Sequence, residues 1–262
     1  MFTTLRLDRR GAVATLTLSR PEVHNAFNEH MIADLTAACQ ALADDNSVRV
    51  VVLAADGKSF SAGADIDWMQ RMAASSQDEN RADAARMAEM LHAINELPKP
   101  VVARVQGAAL GGGAGLLACA DVVVAVRAAR IGMTEVKVGL LPSVIGPFVL
   151  RKIGGSWARA HFLLGDRFDA ATAREMGLVH EIVDDVAALD ARVEAIVGEM
   201  LEGSPAAQAE AKHLLRALAA DPDPARQRAL TAETISRVRA SDEGREGLRA
   251  FMEKRKPSWA HA

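Results

Sequence analysis

The chain has 262 residues, half of them hydrophobic, with 34 acidic against 31 basic side chains and a net charge of −3. That balance argues against a generic nucleic-acid binder, because no long basic run occurs before Lys254-Arg255-Lys256. Two cysteines outside any metal-type or redox-type pair, no signal-like N-terminus and no apolar run of about 18 residues predict a cytoplasmic protein without a membrane span.

Val13 to Leu18 alternates apolar and polar residues and predicts a strand, closed by the turn-like Ser19-Arg20-Pro21. Asn28 predicts an N-cap for a helix over about Glu29 to Ala43, with Met31, Leu35, Ala38 and Leu42 on one face. Val48 to Leu53 is apolar apart from Arg49, as in a strand buried on both faces. Ala54 to Asp67 carries Gly57 and Gly63 and reads as a functional loop. A helix from about Asp78 to Glu96 follows, halted by Pro98 and Pro100.

From Val101 to Leu117 the chain reads as a buried strand, a turn at Gly107, and a glycine run feeding an apolar helix; Val122 to Val126 is another buried strand. Strand, loop and helix thus recur, which favours an α/β fold with mainly parallel pairing. Met133 to Gly146 predicts a loop rich in Gly and Pro with a lone Glu135, and Gly177 to Val183 a late strand. From about Val186 onward helices dominate. Ser204-Pro205 and Asp223-Pro224 open two of them, and Ser241 caps a last one expected to end at Pro257. The expected division is an α/β core over 1–195 and a helical region over 196–262.

Gly111, Gly112 and Gly113 leave the backbone bare where a helix begins, so amide N–H groups point outward without intrahelical partners. Aimed at an oxygen that gains charge during a reaction, they form an oxyanion hole; the alternative is a tight turn that only permits close packing. A phosphate cradle is disfavoured. Leu116 stands where a dinucleotide fingerprint needs its last glycine, and Val52 replaces the leading glycine of a Walker pattern ending at Gly57-Lys58-Ser59. No Gly-x-Ser-x-Gly elbow occurs. His180-Glu181 opens like a zinc motif, but Asp184 stands where the second His belongs, so no metal is expected. Phe60 to Ile66 also follows a buried strand, so each loop can offer one amide to a shared oxygen.

These two loops, with Ser19-Arg20-Pro21-Glu22-Val23-His24-Asn25-Ala26-Phe27-Asn28 ahead of them, closely resemble the crotonase (enoyl-CoA hydratase/isomerase) superfamily. The resemblance extends to Phe251-Met252-Glu253-Lys254-Arg255-Lys256 at the end of the chain. It implies a spiral of repeated β-β-α units with a C-terminal helical region at subunit contacts, assembled as homotrimers often paired into hexamers. It further implies that the N–H groups of Ala64 and Gly112 hold the thioester oxygen of an acyl-CoA. Ala26, Ala62 and Ile66, with Asp65 in the same stretch, match the CoA-binding positions. Phe251 and Lys254 match C-terminal residues that reach CoA, often in a neighbouring subunit; a solvated helix end is the alternative for Lys254. CoA is the substrate carrier, and no separate cofactor is implied.

Of the two family glutamates, the first position is Gly115 and the second is Glu135, retained in Ile131-Gly132-Met133-Thr134-Glu135. A structural ion-pair or helix-start carboxylate is the alternative for Glu135. A single acid permits either a proton shuttle between C2 and C4, as in the isomerases, or hydration at C3; glycine at 115 is expected to leave room for water. Ala64 to Ala73, Gly112 to Leu116 and Leu141 to Val149 resemble a bacterial branch, the methylglutaconyl-CoA hydratases of leucine and isoprenoid-acid breakdown. Ser143-Val144-Ile145 departs from the usual Pro followed by glycines. A dicarboxylic substrate needs a cation, for which Arg71, Arg151 and Lys152 are candidates. A catalytically weak CoA-binding homologue is the remaining alternative. RNA binding through the first helix is not expected, since it carries no Lys or Arg and has Glu29, Asp34, Asp44 and Asp45.

Overall fold

The edge of the main sheet is a hairpin of Leu5–Arg10 (β1) and Val13–Leu18 (β2), in a computed structural model that describes residues 2–261. Beyond β2 come Val50–Ala55 (β3), Val101–Val105 (β4), Val122–Val126 (β6) and Glu181–Val183 (β9), each parallel to its neighbour. Their register sets Val13 opposite Val50, Val51 opposite Val101 and Val102 opposite Val122. The valine runs suit central strands covered on both faces. A second, three-stranded sheet joins Ala109–Leu110 (β5), Arg130–Gly132 (β7) and Arg167–Asp169 (β8).

Among the described residues there are ten α-helices. Glu29–Asp44 (α1) packs on Gln77–Asn95 (α3), and Val186–Glu202 (α7) packs against β3, β4, β6 and β9. Between them lie Ile66–Ala74 (α2), Gly112–Cys119 (α4), Gly146–Leu164 (α5) and Ala170–Glu175 (α6). Pro205–Ala220 (α8), Pro224–Ala240 (α9) and Asp242–Met252 (α10) form the tail. Asn28 caps α1 by accepting the Met31 N–H at 2.9 Å, and a reciprocal Ser76–Glu79 box opens α3. No helix among the described residues is long and apolar enough to cross a membrane.

Several expectations shift. β3 starts two residues later than its apolar run. Only Glu181–Val183 pairs as a late strand, because the Leu178 and Val179 amides donate to the Ala173 carbonyl at the end of α6. The expected loop Met133 to Gly146 contains a 3-10 turn, Glu135–Val138. The last helix stops at Met252 rather than Pro257, and Lys254 follows in the left-handed region at φ +53°. β1 and α2 were not foreseen. β1 alternates Leu5 and Leu7 with the charged Arg6 and Asp8, and α2 begins inside the loop that carries Gly63.

Polar ties hold the tail. The buried Arg49 guanidinium donates to the carbonyls of Trp259, at 2.6 Å, and Gly203. Glu243 accepts from the Ser204 hydroxyl and, at 3.0 Å, from the Ala206 N–H. Cys39 and Cys119 are both buried, and burial pushes the Cys39 thiol up to about 12.

Candidate active site

Asn25 is the knot from which the first loop hangs. Fully buried and at φ +54°, it accepts the Arg20 N–H with its side chain at 2.8 Å and donates to the carbonyls of Asp56 and Ser59. Its own carbonyl accepts from the Ser61 hydroxyl. Main-chain bonds continue the seam: the Ala62 N–H donates to His24, Phe27 to Gly63 and Asp65 to Phe27. The Ser19 to Asn28 stretch thereby fixes the loop after β3.

The second loop is sewn to the first. The Ser61 N–H donates to the Ala108 carbonyl and the Leu110 N–H to the Ser61 carbonyl, both at 2.9 Å. Gly63, at φ +91°, lies so close that a Cβ there would stand 3.0 Å from the Leu110 carbonyl oxygen. Gly111 turns the chain into α4 at φ +51°, a conformation that strongly favours glycine. Ala64 and Gly112 then line one cavity of about 230 Å³, and neither amide N–H has an acceptor among the described residues. Two free donors from adjoining strand ends are what an oxyanion hole requires.

Glu135 faces the same cavity. β7 brings it there: β7 pairs with β5, and the Gly111 N–H donates to the Gly132 carbonyl at 2.8 Å. Its Oε1 approaches Gly111, where a Cβ would lie 3.2 Å away, and its Oε2 is buried without a partner. Burial pushes this carboxyl above the ordinary glutamate range, opposed only by its own backbone N–H. Among the described residues Glu135 forms no ion pair, and no other ionisable residue lines this cavity. The arrangement supplies one basic carboxylate beside two donors.

The expected CoA positions divide. Ala62 is exposed in the cavity lining, and Ile66, 68% exposed, lines an adjoining cavity of about 680 Å³ between α2 and α3. Ala26 is buried, its carbonyl accepting from Arg20 and its N–H donating to Val23. Asp65 is committed to structure. It pairs with Arg20 at 2.8 Å and caps α2 by accepting from Asp67 and Trp68. Burial alone would raise its carboxyl, but the Arg20 guanidinium and the two amides outweigh this and hold it below the usual range. Phe251, 83% exposed, and Lys254 sit at the end of α10, and no tail residue lines either cavity. A single chain does not bring them to Glu135.

The proposed cations for a distal carboxylate are also elsewhere. Arg71 is held bidentately by Glu29, Arg151 lies over the Phe148 ring, and Lys152 donates to the Ala120 carbonyl. His180 accepts the Val123 N–H with Nδ1.

One expectation is overturned outright. Gly115 leaves no room for water, because a Cβ there would lie 2.4 Å from Ile145 Cγ2. The apolar side chain of the Ser143-Val144-Ile145 turn fills the space. The sequence marked that turn as unusual without revealing its role. Met69 and Met87, which line both cavities, were likewise unassigned, since a Met on a helix face reads as ordinary core.

Comparison with known proteins agrees with this geometry. Residues 8–262 match the family model described as enoyl-CoA hydratase/isomerase. A putative enoyl-CoA hydratase of Thermus thermophilus is 36% identical over 95% of this chain and 97% of its own. The 2,3-dehydroadipyl-CoA hydratase of Escherichia coli is 33% identical over 97% of this chain and 98% of its own. An enoyl-CoA hydratase structure from Shewanella pealeana superposes with a TM-score of 0.95 at 39% identity, covering 98% of this chain and 96% of that one. Sequence, fold and cavity together place the chain in the enoyl-CoA hydratase/isomerase family.

Proposed function

We propose that the chain hydrates the C2–C3 double bond of a short, branched 2-enoyl-CoA, with Glu135 as the acid–base group and the Ala64 and Gly112 amides as the oxyanion hole. The observation that carries this reading is a half-buried carboxylate, with one oxygen buried and unpartnered, lining the same cavity as two amides without acceptors. As water attacks C3, the Glu135 carboxylate takes its proton. The π electrons move to the thioester oxygen, where one such donor contributes roughly 3–4 kcal/mol. The protonated Glu135 then delivers its proton to C2. A raised pKa makes the carboxylate a stronger base, which suits exchange with a carbon acid.

Within this reading 3-methylglutaconyl-CoA is the candidate substrate, supported by the resemblance of Ala64 to Ala73 and Leu141 to Val149. Isomerisation of a 3-enoyl-CoA is the second reading, and the hydrocarbon of Ile145 over Gly115 favours it, because proton shuttling needs a dry pocket. Turnover of 3-methylglutaconyl-CoA, crotonyl-CoA and a 3-enoyl-CoA separates the two. Hydration of either 2-enoyl ester supports the first reading, whereas double-bond migration alone removes it.

The tail suits assembly into homotrimers or hexamers. α8 has no fully buried residue, while Leu215, Ile235, Leu248, Phe251 and Met252 are exposed. A partner copy would place Phe251 and Lys254 against bound CoA. Light scattering giving a monomer mass would remove this part of the proposal.

A further inference from the structure

The turn Ser143 to Ile145 is built against α4. Ile145 is 2% exposed, and its side chain stands where one at Gly115 would begin: a Cβ there lies 2.4 Å from Ile145 Cγ2 and 3.0 Å from Ile145 Cβ. Leu91 Cδ2 backs the same spot at 3.7 Å. Ile145 also lines the Glu135 cavity, next to Val144 and Leu141. Among the side chains on that lining, only Thr134, Glu135 and Ser143 carry oxygen or nitrogen. Thr134 and Glu135 are consecutive, and at Gly115 the side chain packed on α4 is the hydrocarbon of Ile145.

We propose that Ile145 is a specificity-determining residue: it occupies the space over Gly115, denies water the α4 side, and confines proton and hydroxyl transfer to the Glu135 side. This inference rests on the hydratase reading. It explains how one carboxylate suffices. A proton leaving the attacking water has a single acceptor, and the developing enolate has a single acid facing C2. Truncating Ile145 would open an approach for solvent at Gly115 and weaken the dry environment on which proton shuttling depends.

The test uses the full chain with Ile145→Val and Ile145→Ala, assayed on 3-methylglutaconyl-CoA, crotonyl-CoA and a 3-enoyl-CoA. In Ile145→Ala the ratio of double-bond migration to hydration should fall about tenfold, with KM moving less than about threefold, and Ile145→Val should stay near the parent. Unchanged kcat and an unchanged product ratio in Ile145→Ala overturn the proposal while leaving the hydratase reading intact. No turnover of any ester by the parent protein overturns that reading itself. A second measurement needs no activity. Gly115→Ala should lower Tm by about 3 °C or more in the parent and by much less in the Ile145→Ala background. Equal effects in both backgrounds would show that the two residues do not compete for the space, and the proposal fails.

Discussion

Helix α4 and the tail helices stand at opposite extremes of burial. All eight residues of α4 are buried, glycines included, whereas α8 contributes no buried residue, α9 only Thr234 and α10 only Ala250. Around α4 the backbone is positioned by steric fit and main-chain bonds, and the buried Asn25 and Ser61 side chains fix the loop that carries Ala64. The tail is held by a few polar ties, chiefly Arg49 to Trp259 and Gly203. Under the proposed function, chemistry sits in the region that cannot relax and subunit contact in the one that can.

The sharpest way to probe this contrast is Glu135→Gln, which keeps the shape of the rigid region and removes its base. Turnover should drop by about 10²–10⁴-fold while acyl-CoA still binds. Undiminished turnover would remove Glu135 from the mechanism. Gly107→Ala tests the steric side, because a Cβ there would lie 1.9 Å from the Lys58 carbonyl oxygen. Unfolding in denaturant should show a loss of about 3 kcal/mol or more. Arg49→Met should instead affect the tail, leaving two carbonyls without their donor at a cost of about 2 kcal/mol. Hydrogen exchange should rise in residues 240–261 and stay flat in α4; a uniform rise would deny the separation.

Smaller effects refine it. Because burial raises Glu135, the folded state favours its neutral form, so this group's contribution to stability is full in acid and is lost as pH rises through the raised value. Glu135→Gln should therefore exceed the parent in stability at neutral pH, with the gap closing in acid. Denaturation at pH 4 and pH 7.5 reads this directly. Lys254→Gly relieves a lysine held at φ +53° and should stabilise by about 1 kcal/mol. It should also raise KM for CoA esters but not for pantetheine esters. No change in that preference would return Lys254 to a plain solvated helix end.

Much of this was legible in the chain itself. The valine runs of β3, β4 and β6, the Asn28 cap and the Ser204-Pro205 start announce themselves through local physics. So did the glycine turns, whereas Glu135 is singled out by the family resemblance and not by local physics. What stayed hidden depends on distant pairs. Ile145 filling the space over Gly115 joins residues thirty positions apart, and no periodicity encodes it. The commitment of Asp65 to Arg20 is similar, since a loop carboxylate reads equally as ligand or cap until its partner is seen. β1 escaped because an edge strand with charged outward residues lacks a buried pattern on both faces.

The bridge between Ser61 and Ala109 is made of main chain alone, so the spacing of the two loops is set by backbone hydrogen bonds and not by the side chains that line the cavity. Diversification toward longer or bulkier acyl groups is thereby channelled into Met69, Met72, Met87 and Val144, which border the larger cavity. Three of these are pliable thioethers that repack readily. A mutagenesis library confined to those four positions would explore substrate scope without replacing Glu135, Ala64 or Gly112.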